Sequence, residues 1–533
     1  MTLVASCAGA NKMKAVYNIN VDCTPEVLAT VGESHIPVDL NLTFPKGYFN
    51  PNAIVTFTPA IVFEGGEEVA PEFTYQGERV YDNYKVIEKT GGTASEHFDF
   101  HYIKGMEVSR LELRGKVTCG NKSFDLPAIK VADGLNTTAR LACKQGEVTF
   151  KADEYQDIIH KRAEGQILFD VNSSAVKSSE LRSESILTLQ EALREVSEDS
   201  RYTMKDTKVI AYASPEGGET YNAILSDKRA VNAEGAWKTI LDRNNNRTTI
   251  ETRSIGQDWE GFREAVANSN ISDKDLILRV LSMYSDPAIR EREIRNMSQV
   301  YTEINKKVFP ELRRARIIAD ADYQNFTDAE LDELAKKAIE VLDEEGLLRV
   351  AANSKDASRK KALYKRAAES FGSDRAYYNL ASLALQEGRT AEAEACLAKM
   401  KKADKAVANS KGVCEMQNGN LEAAVIYLQK SNLPEATKNL GTTYILQGNY
   451  AEAARTLAGT GSCNECLAYI LNDQLDKAES VSKGCCPQSS YLKAIIAARK
   501  GDAEGVKAAL EAVNKDEALK ARAEKDIEFA AYR

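Results

Sequence analysis

Arg229 is the residue of this chain best suited to hold a ligand. It follows Asn222 by seven positions and Ser226 by three. That spacing puts the three side chains on one face of a helix. Just ahead of them the short apolar run Val209-Ile210-Ala211-Tyr212-Ala213 meets Ser214-Pro215-Glu216-Gly217-Gly218, a cluster that forces a turn. A turn feeding a helix start offers backbone N–H groups and a positive dipole end. A guanidinium adds a planar cation that pairs with a carboxylate. The chemistry implied is anion binding. The same pattern also describes a polar helix face on an ordinary α/β layer, and both readings stand at this level.

These residues need a sheet and helices to position them. Gln166–Asn172 reads as a strand, and Glu180–Val196 as an amphipathic helix with Leu181, Ile186, Leu187, Leu189, Leu193 and Val196 inward. In the helix after the turn, Ile224, Leu225, Val231, Ile240 and Leu241 are the apolar positions. A strand is expected near Thr248–Ile255. Residues 258–308 read as a helix-rich insertion anchored by Trp259, Phe262, Leu276, Ile277, Leu278 and Leu281. Leu312–Ile318 closes the set as a strand. The β-α-β-α-β order predicts an α+β domain with its sheet on one side and helices on the other.

Tyr221-Asn222, Leu225-Ser226 and Arg229-Ala230 fall in register with a known signature, a strand and TDxxG turn followed by YNxxLSxxRAxxV. The stretch resembles the OmpA-like peptidoglycan-binding domain, and the likeness runs from about residue 160 to 323. Phe169–Asn172 is similar to the family's FxxN strand end, and Leu312–Ile318 to its closing RRV strand. The resemblance implies that Arg229 holds the carboxylate of the diaminopimelate residue in the wall stem peptide. The family's Asp falls on Ser214, which is a departure; Glu216, two residues on, is the candidate substitute. Arg313 or Arg314 either lines the pocket, with Arg313 the one assigned to it, or makes a structural ion pair. The implied peptidoglycan-binding set is Arg229, Ser214, Glu216, Asn222, Ser226 and Arg313.

Catalysis has little to work with. The four histidines, His35, His97, His101 and His160, stand in no metal-ligand spacing and beside no candidate nucleophile. An enzyme is not expected, nor a cofactor or metal site. A formal net charge of −9 argues against a nucleic-acid partner. No run approaches the ~18 apolar residues of a membrane span.

At the N-terminus, Val4-Ala5-Ser6-Cys7 resembles a bacterial lipobox, which implies acylation of Cys7 and a lipid anchor in the outer membrane, facing the periplasm. The basic part and most of the apolar part of such a signal are missing, which implies a true start upstream of Met1. Residues 1–13 are thus read as signal remnant and tether.

Residues 14–150 alternate as half-buried strands do, for example in Ile36–Phe44, Ala53–Pro59 and Leu111–Val117, with turns at Pro45-Lys46-Gly47, Gly65-Gly66 and Gly91-Gly92. An all-β sandwich is predicted, with Val148-Thr149-Phe150 as one more strand. Cys23, Cys119 and Cys143 fall here, enough for one disulfide.

The OmpA-like domain is assigned to residues 151–324, and a new helix is expected at the capping-box spacing Thr327–Glu330. Beyond it, turns centred on Gly388, Gly419, Gly448, Asp473 and Gly501 recur every 25 to 31 residues. Five residues after each stand Ala393, Ala424, Ala453, Ala478 and Val506. Small residues there let paired helices approach closely. Residues 325–533 resemble tetratricopeptide repeats, with Tyr377–Leu380 and Thr437–Gly441 matching the motif's first helix. Such solenoids present a concave groove that binds peptides or proteins. Cys463, Cys466, Cys485 and Cys486 are candidates for disulfides that staple neighbouring repeats.

The resulting expectation is a multidomain envelope lipoprotein. Its central domain binds peptidoglycan and its repeats bind other envelope proteins. The alternative is a non-catalytic assembly scaffold whose wall pocket is vestigial.

Overall fold

The computed structural model describes residues 9–243, 248–483 and 487–533. The chain forms two compact units, one built from Met1–Asp153 with Ala351–Arg533, the other from Glu154–Val350.

The first unit opens with two sheets that share one apolar core. Asn20–Thr24, His35–Phe44 and Gly92–His101 form a three-stranded sheet. The larger sheet runs in the order Val27–Ala29, Ile129–Asn136, Ser109–Cys119, Ile54–Phe63, Phe73–Gly77, Lys85–Ile87, with Lys122–Asp125 and Gly66–Val69 as flanking hairpin strands. Alternation explains the layering: Ile36, Val38, Leu40, Leu42 and Phe44 all point inward from one strand. Each such side chain contributes about 1.5–3 kcal/mol by leaving water. Rings of Phe44, Phe57, Phe73 and Tyr75 pack edge-on and stacked at the centre. The expected strand at Val148–Phe150 is not one; residues 144–157 are in no strand. Cys23 and Cys143 are free thiols, while Cys119 is disulfide-bonded.

The helical part of this unit is a run of antiparallel pairs: Asp374–Gln386 with Thr390–Ala398, Lys405–Gln417 with Leu421–Ser431, Pro434–Leu446 with Tyr450–Leu457, Cys463–Leu471 with Leu475–Val481, and Pro487–Lys500 with Ala503–Val513. Within four of the pairs a Gly with φ between 70° and 83° makes the turn, and Asp473 does so in the fifth. Ala393, Ala424, Ala453 and Ala478 are fully buried, as helix approach requires. A Cβ on Gly412 or Gly441 would lie 2.5 or 2.3 Å from Leu428 or Leu457 of the paired helix.

The second unit holds a four-stranded sheet in the order Ile158–Leu168, Arg314–Gln324, Tyr202–Ala213, Thr249–Gln257. Neighbours are antiparallel except the last pair, which is parallel. The helices Glu184–Glu198 and Glu219–Arg243 bury Ile186, Leu189, Ala233 and Trp237 against Ile167, Val209, Ala211 and Ile317. The first begins at the N-cap Ser183. Leu187, Ile224, Val231 and Leu276, expected inward, are exposed; small residues such as Ala230 and Ala233 face the sheet instead. Residues from Trp259 to Leu312 form five helices around a core of their own that includes Phe262, Ile277, Ile304 and Phe309.

The capping box at Thr327 and Glu330 is present. Its helix, Asp328–Lys337, nevertheless belongs to the second unit, through Arg201–Glu330 at 2.8 Å and Arg349–Asp328 at 2.8 Å. The second unit thus extends past residue 324, into the helix Glu344–Asn353. Among the described residues no helix is long and apolar enough to cross a membrane.

Candidate functional site

Arg229 projects from the third turn of the helix Glu219–Arg243 toward the end of the strand Tyr202–Ala213, and it is 1% exposed. Its guanidinium donates to three backbone carbonyls, Ser173 O at 2.9 Å, Tyr212 O at 3.0 Å and Asp170 O at 3.1 Å. It lies over the Phe169 ring, 5.1 Å from the centroid. Burial, and then the nearby Arg313 cation, lower its pKa to about 10. Arg229 thus remains charged at neutral pH, with its donors aimed at the chain itself.

The turn ahead of the helix is tied from inside. Asn222 donates to Ser214 O, Glu216 O and Gly217 O at 3.0 to 3.3 Å. Ser226 accepts from Gly256 N at 3.0 Å and donates to Ala223 O, locking the helix to the strand Thr249–Gln257. Glu216 is the carboxylate of the site. Its Oε1 accepts from Arg313 Nη2 at 2.6 Å, Arg313 Nε at 3.0 Å and Ser214 Oγ at 3.0 Å. Arg313 and Ser214 are both buried. All six residues expected at this site therefore lie together, and they bond to one another and to backbone.

Sequence reading missed Glu291. From the helix Pro287–Asn296 it accepts from Gly217 N at 3.0 Å, an anion at the turn that precedes the helix. Arg314 makes the structural ion pair, 3.0 Å from Asp258, and the unforeseen partner Asp258 also caps the helix Trp259–Asn268. Asp258 stands directly before an apolar helix, the ordinary mark of an N-cap. Glu291 carries no local signal of its role. Arg313 is thus paired with a carboxylate that the chain itself supplies, while Arg229 is held by backbone carbonyls.

The second candidate surface is the face of the repeats formed by the first helix of each pair. It holds the chain's own segment Cys143–Lys151, which is in no helix or strand. Asn464 brackets Cys143, accepting from its N–H at 2.9 Å and donating to its carbonyl at 3.1 Å. Asn439 brackets Glu147 in the same way at 2.7 and 2.8 Å, and Asn379 brackets Lys151 at 2.7 and 2.9 Å. Asn409 adds a second donor to Glu147 O, and Gln488 donates to Leu141 O. Thr149 O accepts from Ser382 Oγ at 2.8 Å. Each amide comes from the first helix of a different pair.

Cys463 and Cys466 are not joined to each other. Cys466 is buried with its Sγ donating to Ala478 O, and burial pushes its thiol up to about 12. Cys7, Cys485 and Cys486 lie outside the described residues. Among those described, no group of three His, Cys, Asp or Glu side chains is arranged to hold a metal ion.

No curated protein matches the chain. Two stretches match family models described as tetratricopeptide repeat, residues 374–407 and 434–458. They fall on the helices that carry Asn379 and Asn439, so the C-terminal helical region contains tetratricopeptide repeats, a module of protein–protein interaction.

Proposed function

We propose that the protein is a non-catalytic envelope scaffold. In this reading Cys7 anchors it by lipid to the outer membrane, the repeats organise protein contacts, and the central unit is an OmpA-like domain whose wall pocket is closed from within. The observation that carries this is Glu216. Its carboxylate takes the two guanidinium bonds of Arg313 that a ligand carboxylate would need, while Arg229 is engaged by three carbonyls. A stem peptide must displace a tethered carboxylate, present at an effective concentration in the millimolar range or above.

Retention on diaminopimelate-containing sacculi tests the reading. The wild type is expected in the unbound fraction, and Glu216→Gln, which frees Arg313, at least tenfold more in the bound fraction. Wild-type retention that is lost in Arg313→Gln would replace the closed-pocket reading by direct wall binding. The anchor is tested separately: Cys7→Ser is expected to move the protein from the detergent phase to the aqueous phase, and unchanged partitioning counts against lipidation.

A further inference from the structure

The groove of the repeats is occupied by a segment whose backbone is read at every fourth residue. Cys143, Glu147 and Lys151 are met in turn by Asn464, Asn439 and Asn379, each amide satisfying both the N–H and the C=O of one residue. Backbone bracketing of this kind tolerates any side chain, so selectivity must come from elsewhere. Three features supply it. Lys438 meets both carboxylate oxygens of Glu147 at 2.9 Å. Asp404 meets the Lys151 ammonium at 2.5 Å, and that ammonium also lies over the Tyr378 ring. Gly146 has φ +76°, and a Cβ there would fall 2.7 Å from Val413 Cγ1. Val148 packs into the apolar core of the helices between these polar contacts.

We propose that the face of the repeats formed by the first helix of each pair is a receptor for a polypeptide of the form Gly-acidic-x-x-x-basic, and that residues 143–151 are its built-in ligand. The segment fills the groove in cis because it is covalently attached. Supplied in trans, the same segment binds the same face when the resident copy is weakened. The proposal builds on the interaction role of the repeats and does not depend on the wall pocket, so the sacculi experiment and the one below fail separately.

The test uses the full chain with residues 145–149 replaced by Gly and Ser, and a fluorescent peptide of residues 141–153. Anisotropy is expected to show saturable binding to this variant and at least 30-fold weaker binding to the wild type. A Gly146→Val peptide is expected to lose at least tenfold, and a Glu147→Lys peptide to regain affinity on the Lys438→Glu form of the variant. A folded variant that ignores the wild-type peptide, or takes the Gly146→Val peptide equally well, overturns the proposal. If the replacement prevents folding, hydrogen exchange on the intact wild type decides. The amides of Cys143, Glu147 and Lys151 are expected to be protected, with Glu147 alone exchanging at least tenfold faster in Asn439→Ala. Exchange of these amides at open-loop rates in the wild type overturns it as well.

Discussion

Replacing Arg229 by alanine would strand the carbonyls of Ser173, Tyr212 and Asp170 in a buried position. Removing a charged donor from such a site costs roughly 3–5 kcal/mol. Arg229→Ala is therefore expected to lower the denaturation midpoint of the second unit sharply, and Arg229→Lys to recover little, since an ammonium lacks the planar fork that reaches three carbonyls. A midpoint unchanged in both variants would contradict a structural role for this guanidinium. That Asn222, Ser226 and Arg229 lie together was legible because they share a helical spacing that survives folding. Its state was not. Whether Glu216 faces a ligand or Arg313 depends on two residues 97 positions apart, and no local pattern records that distance. Glu291 was invisible for the same reason, being brought to Gly217 from a helix 74 residues away.

At the scale of elements, the turn at Gly448 joins two packed regions. Its φ is +78°, and a Cβ would sit 2.4 Å from Val31 Cγ1 of the β-rich region. Close by, Gly32 N donates to Tyr450 OH at 3.0 Å. Gly448→Val is thus strained in backbone and in packing, with an expected cost of about 2–4 kcal/mol. Limited proteolysis should show the β-rich region and the repeats losing protection together while Glu154–Val350 stays intact; loss confined to the repeats would argue against a shared unit. A second joint is acid-sensitive. Glu528 is desolvated, yet Arg499, Asn136 and Thr138 outweigh that penalty and hold its pKa below the usual 4.5. A lowered carboxylate contributes stability above its unfolded pKa, and that contribution is lost as pH falls through the folded value. Glu528→Gln should destabilise the first unit at pH 7 and flatten its loss of stability below about pH 4.5, followed by thermal unfolding across pH. The helix pairs were legible from turn spacing and buried alanines. Val148–Phe150, expected as a strand, pairs with no other strand. What alternation cannot convey is the partner, here a row of side-chain amides on helices.

At the scale of the molecule, the second unit is a continuous stretch and the first is not. Residues 154–350 expressed alone should unfold cooperatively at close to their temperature in the full chain. Residues 351–533 expressed without 1–153 should unfold at lower temperature, because Asn379, Asn409, Asn439 and Asn464 lose the backbone they bracket and Val148 leaves the core. Equal midpoints for that fragment and the full chain would refute the dependence. Sequence placed a boundary at 324 because a capping box is a local event, whereas the allegiance of the helix it starts is decided by Arg201 and Arg349 from other elements. The bracket between Lys151 and Asn379 also has a meaning in time. It spans 228 residues. At synthesis rates of about 5–20 residues per second, the segment waits roughly 10 to 50 s for the first helix that holds it. The whole of Glu154–Val350 emerges during that interval and has time to fold. The segment Cys143–Lys151 is thus made well before the helices that hold it, and for that period its backbone groups lack the amides that bracket them.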